Sequence, residues 1–188
     1  IICIYVLLFF FCNAEDKKPF EIKELLSGSS FSQQETRLIQ DDDFLNPGFL
    51  WIEHGEKLWN KKNNKNEQSC NDCHGKVISM KGIATKYPKF IKSQNKVINL
   101  EQRINLCKRI NKEKEFATES KDLLSLSALI SLQSRGLPLS VDIDGLAQEW
   151  FEKGKMLYFQ KIGQMNLSCN QCHDDRVGQF LRAEKVSQ

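Results

Sequence analysis

Trp51, Gly55, Leu58 and Trp59 stand at i, i+4, i+7 and i+8, which is one face of a helix. Trp150, Gly154, Leu157 and Tyr158 repeat that pattern 99 positions later. The spacing predicts two amphipathic helices, each with a glycine on its apolar face. Glycine inside a helix costs about 1 kcal/mol relative to alanine, so close approach of a second helix is the expected reason. An ordinary buried face that tolerates a glycine is the plain alternative. Ser120 to Arg135 is rich in Leu, Ser and Ala and reads as a helix stopped at Gly136, with Pro138 behind it. Leu100, Ile104, Cys107 and Ile110 share a further helical face. No strand alternation is strong, so the fold class expected is mainly α.

The repeat extends past the helices. Glu53, Ser69, Cys70, Asn71, Cys73 and His74 recur as Glu152, Ser168, Cys169, Asn170, Cys172 and His173. Self-similarity of this kind indicates two copies of one module. The organisation expected is an apolar leader at 1–14, an extension at 15–45, a first domain at 46–139 and a second at 140–188. Leu137 to Asp144 is the linker. The second copy is shorter than the first, so this reading treats it as incomplete and the chain as a fragment.

Residues 1–12 are uncharged and apolar, followed by Asn13-Ala14 and the acidic Glu15-Asp16. This resembles the apolar core and cleavage site of a secretory signal peptide, with Ala14 at the scissile position. The run is short of the roughly 20 residues that span a bilayer. Without an initiator Met or a basic start, the leader is expected to begin before Ile1, and a longer anchor stays open. Cys3 and Cys12 would leave with it.

Chemistry enters with the cysteines. Cys70-Asn-Asp-Cys73-His74 and Cys169-Asn-Gln-Cys172-His173 are both Cys-x-x-Cys-His runs. That spacing suits covalent attachment of c-type haem, two thiols adding to the vinyl groups and the imidazole standing under the iron. Cys70, Cys73, Cys169 and Cys172 are therefore the attachment candidates, His74 and His173 the iron ligands, and two haem c groups the expected cofactors. A shared zinc would want the two pairs about 15–20 residues apart. A dithiol redox site at each pair is the other alternative. Neither requires a histidine after both second cysteines.

Charge changes the picture little. The net charge is +3, with 27 Lys and Arg against 24 Asp and Glu, so no nucleic-acid partner is implied. Asn60 to Asn66 is a solvated loop, able to steer an anionic partner or simply passive. Asp41 to Asp43 reads as an exposed turn.

The first iron has three candidate distal ligands. Met80 follows His74 too closely to reach the opposite face easily. His54 corresponds to Lys153 in the repeat, as a surface residue would. Cys107 lies outside both pentapeptides on a helical face. Spacing alone leaves Cys107 open between an iron ligand and a small buried hydrophobe.

Several stretches together resemble the SoxA family of bacterial sulfur oxidation. They are Gln40 to Gly48, Ser79 to Ala84 with Tyr87-Pro88, Asn99 to Asn105 with Cys107, and Gln133 to Gly136. Gly163 to His173, Arg182-Ala-Glu184 and Ser187-Gln188 continue the likeness. The resemblance implies two tandem cytochrome c-like domains in a periplasmic protein. It implies a small monohaem partner, SoxX, and a carrier protein, SoxYZ, to whose cysteine thiol thiosulfate is oxidatively joined. That activity is an L-cysteine S-thiosulfotransferase, with electrons leaving to a downstream cytochrome. The resemblance also implies His74 and Cys107 as axial ligands of the first haem. For the second it implies His173 and a modified catalytic cysteine, expected beyond Gln188, so no catalytic residue is assigned. A dihaem electron carrier without transferase activity is the rival reading, and a metal or dithiol module a further one.

Overall fold

The computed structural model describes residues 26–65 and 67–187. The leader, Cys3 and Cys12 lie outside the described residues. The chain runs through helices α1 (Gln34–Asp41), α2 (Phe49–Asn60) and α3 (Cys70–His74), then the hairpin β1 (Lys89–Ile91) and β2 (Lys96–Ile98). Helices α4 (Leu100–Ile110), α5 (Lys121–Leu132), α6 (Gln148–Phe159) and α7 (Asn170–His173) follow, with a closing hairpin β3 (Phe180–Leu181) and β4 (Glu184–Lys185). Both hairpins are antiparallel, β1 pairing Phe90 with Val97 and β3 pairing Phe180 with Lys185. Each strand is only two or three residues long, too short for period-two alternation to register in the sequence.

The core forms where α2 crosses α5. Trp59, Leu126, Leu129 and Ile130 are buried together, and Leu58, Cys70, Val77, Met80, Leu100, Ile104 and Phe116 pack around them. The glycine on α2 has the packing reason its sequence predicts. A Cβ on Gly55 would stand 2.4 Å from the Ser125 carbonyl oxygen and 3.0 Å from Leu129 Cβ. On α6 nothing lies within 4 Å of the same position on Gly154. Trp150, Phe151, Leu157 and Phe159 on that helix are exposed. Trp150 and Trp51 are nevertheless alike, at 43% and 39% exposed, so the contrast between the copies lies at the glycine and at Trp59 against Tyr158.

Three expectations need correction. Ile110 is 64% exposed, because α4 ends there and only Leu100, Ile104 and Leu106 reach the core. The predicted helix to Arg135 stops at Leu132, where the chain turns through Gly136 at φ 76°. Asp41 to Asp43 is more than an exposed turn. Asp42 Oδ1 accepts from the Phe44 and Leu45 amides, and Asp43 pairs with Arg135 at 2.6 Å, tying the extension to the end of α5. The linker is fastened as well, Ser140 N donating to Thr85 O at 2.8 Å. Among the described residues no helix is long and apolar enough to cross a membrane.

Candidate haem sites

Each Cys-x-x-Cys-His run forms a short helix, and a serine caps the first of them. At the first, Ser69 Oγ accepts from Asp72 N at 3.2 Å, while the Ser69 amide and hydroxyl both donate to Asp72 Oδ2 at 2.8 Å. This is a reciprocal capping box. The Ser69 amide and then its hydroxyl hold the Asp72 carboxyl below its usual pKa. At the second, Gln171 takes the acidic residue's place, its Oε1 accepting from the Ser168 amide at 3.0 Å. Ser69 belongs to the visible repeat, so its cap was legible as Ser-x-x-Asp, whereas the second helix starts one residue later, from Cys169, with no side-chain cap.

An aromatic residue at the end of the preceding helix holds the residue after each histidine. Trp59 Nε1 donates to the Gly75 carbonyl at 3.1 Å, and its ring lies 6.0 Å from that of His74. Tyr158, in the equivalent position, donates its hydroxyl to Asp174 Oδ1 at 2.7 Å. Burial first, and then this bond to Asp174, push the Tyr158 phenol upward in pKa. His173 has a further anchor, Nδ1 lying 2.8 Å from the Ser187 carbonyl oxygen. A carbonyl can only accept, so Nδ1 carries the proton and Nε2 keeps its lone pair for a metal.

All five described cysteines are free thiols. Cys73 and Cys169 are exposed and Cys70, Cys107 and Cys172 half-buried. Burial pushes the Cys70 thiol up; Lys108 opposes this, and Glu113 and Cys107 reinforce it. Cys107 thus lies in the electrostatic neighbourhood of Cys70, and equally of Tyr87. Of the other distal candidates, Met80 packs on the α2–α5 core. His54 donates to Asp122 at 2.6 Å, joining α2 to α5. His54 is therefore a helix-to-helix contact, half-buried instead of a bare surface residue.

The donor set fits haem c: free thiols three positions apart, an imidazole next in sequence, and a third thiol near the first pair. A zinc shared by the two Cys pairs does not fit, since no three metal-binding side chains gather among the described residues. The fold and these sites define a c-type cytochrome domain, which carries its haem covalently.

Residues 54–139 match the family described as SoxA/TsdA, cytochrome c domain. The L-cysteine S-thiosulfotransferase subunit SoxA of Pseudaminobacter salicylatoxidans is 38% identical over 178 residues, covering 93% of this chain and 62% of that protein. Its counterpart from Rhodovulum sulfidophilum is 37% identical over 167 residues, 88% of this chain and 58% of that protein. The fold is similar to a crystal structure of SoxXA from P. pantotrophus, with a TM-score of 0.81 and 34% identity over 87% of this chain and 62% of that one. The chain belongs to the SoxA family. It spans roughly three fifths of the length of these relatives.

Proposed function

We propose that the chain is the dihaem subunit of an L-cysteine S-thiosulfotransferase acting in the periplasm. The observation that carries this is the duplicated unit: helix, aromatic tether and Cys-x-x-Cys-His, present at 51–74 and again at 150–173. Two modules, 46–139 and 140–188, each hold one haem in this reading. Cys70 and Cys73 attach the first through thioethers, and Cys169 and Cys172 the second. His74 and His173 stand under the irons. Cys107 is the distal ligand of the first.

The reaction joins the sulfane sulfur of thiosulfate to a carrier cysteine thiol. One S–S bond forms, the thiol loses its proton, and two electrons leave. Haem iron supplies one-electron acceptors when bound. The chain's own residues set the geometry. Trp59 and Tyr158 each hold the residue after a histidine, one by its backbone carbonyl and the other by its side chain, and Ser187 fixes the His173 tautomer. No residue is assigned as the catalytic thiolate. A SoxX-type monohaem partner is supported by the likeness to the SoxXA structure, and a SoxYZ-type carrier and a downstream cytochrome complete the reading.

The test has two stages. Mass spectrometry of protein matured with the c-type assembly machinery should show two haem additions, one lost in Cys70→Ala/Cys73→Ala and the other in Cys169→Ala/Cys172→Ala. Thiosulfate-dependent modification of the carrier cysteine is then measured with the monohaem partner present. One haem or none would refute the dihaem reading. Two haems without carrier modification would leave a plain electron carrier.

A further inference from the structure

The modest net charge of the chain conceals a strong asymmetry. Residues 57–96 hold ten lysines, no arginine and two acids, Glu67 and Asp72. Residues 140–188 hold six basic and seven acidic side chains. All ten lysines are exposed. A surface charged only for solubility intersperses both signs; this one does not.

Five of the lysines border one feature, the Cys70–His74 turn. Lys61 and Lys62 follow α2, Lys76 comes two residues after His74, and Lys81 closes the turn beyond Val77–Met80. Cys73 and His74, at the centre of this run, are exposed. Lys62 is near enough to Asp72 to help lower its pKa. Lys65 donates to the Lys112 carbonyl at the end of α4. Asn63 Nδ2 donates to Glu113 at 2.9 Å, and Glu113 pairs with Lys108 at 2.7 Å. The Asn-Lys loop is thereby pinned beside the first haem site and its charges are held there.

We propose that this lysine-rich face docks the acidic face of a redox-protein partner, and that the first haem exchanges electrons through it. The proposal rests on the first site carrying haem. The step is a one-electron transfer: haem iron is oxidised, the partner's oxidised centre is reduced, and no bond forms or breaks. A redox site bordered by a mainly basic patch favours such a partner. A lipid surface is recognised by an amphipathic helix, whereas all of these lysines but Lys57 lie on loops, single turns and a short hairpin. Nucleic-acid faces use Arg forks and stacking aromatics, and the patch has no arginine.

The test mixes the reduced holoprotein with oxidised plastocyanin, an acidic copper protein, and follows the haem absorbance by stopped flow. Raising salt from about 0.01 M to about 1 M shrinks the Debye length from about 30 Å to about 3 Å. The second-order rate constant should fall by tenfold or more, within the roughly 10–10³ range of electrostatic steering. Lys76→Glu with Lys81→Glu should produce a comparable loss at low salt, while Lys161→Glu in the second module should not. Independently of any variant's folding, hexacyanoferrate(III) should slow with salt and tris(phenanthroline)cobalt(III) should not. A salt-independent rate, or the same response to both small oxidants, would overturn the proposal. So would lysine-dependent sedimentation with phosphatidylglycerol vesicles alongside an unchanged plastocyanin rate. Absence of haem on the Cys70–Cys73 peptide would instead refute the cofactor reading. Calorimetric titration with plastocyanin would then still decide the surface, since binding lost in Lys76→Glu/Lys81→Glu supports it and no binding overturns it.

Discussion

Gly55 of α2 meets the backbone of Ser125 in α5 so closely that a Cβ would stand 2.4 Å from the serine carbonyl oxygen. That oxygen belongs to the helix ladder and cannot swing aside. Gly55→Ala therefore has to part the two helices that form the core, at a cost of about 1–3 kcal/mol or more. Gly154→Ala meets nothing within 4 Å, and should gain about 0.4–1 kcal/mol from the stiffer unfolded chain and better helix propensity. Urea midpoints of the two variants should move in opposite directions. Equal losses would mean that α6 is crossed as tightly as α2.

Ser125 supplies a second handle on the same crossing. Its side chain is fully buried, and its hydroxyl oxygen has no hydrogen-bond partner among the described residues. A small residue is needed there, but a hydroxyl is not. Ser125→Ala should raise the unfolding free energy by about 1 kcal/mol, since an unmet buried hydroxyl costs about 1–3 kcal/mol. Chemical denaturation measures it, and a clear loss of stability would show that the oxygen is bonded after all.

Asp72 gives the first haem site an acid-sensitive start. Its carboxyl is held below the usual aspartate range because Ser69 donates to it twice. A carboxylate depressed in the folded state stabilises it above the unfolded pKa, and loses that effect as pH falls through the folded value. Asp72→Asn should thus be less stable than the parent at neutral pH, and the gap should narrow as pH falls below the ordinary aspartate value of about 3.9. Denaturation at both pH values checks the sign; a gap undiminished in acid would exclude the carboxylate as its source.

The ligand reading of Cys107 makes its own forecast. Cys107→Met should replace thiolate by thioether on the first iron, change the Soret and charge-transfer bands, and raise the potential. Redox titration followed by magnetic circular dichroism reads both. Spectra identical to those of the parent would assign the ligand elsewhere.

Much of this was legible in the residues. The two glycine-bearing helices, the tandem pentapeptides and the helix before Gly136 follow from period, spacing and punctuation, all local signals. The hairpins escaped because strands of two or three residues hold no alternation to read. Ile110 was misplaced because helical spacing cannot tell where a helix leaves the core. The role of His54 needed Asp122, 68 positions away, and no pattern within one segment predicts such a partner. Glu113 was hidden in the same way: its link to Asn63 spans 50 positions.

The tether beside each histidine also bears on how the two copies can diverge. In the first, Trp59 donates to a peptide carbonyl, and Gly75, at φ 70°, holds a backbone conformation that favours glycine. In the second, Tyr158 donates to the side chain of Asp174, which one codon change can delete, lengthen or neutralise. Substitution at position 174 can therefore retune the tether beside the second histidine in small steps, while the tether beside the first is written into the backbone.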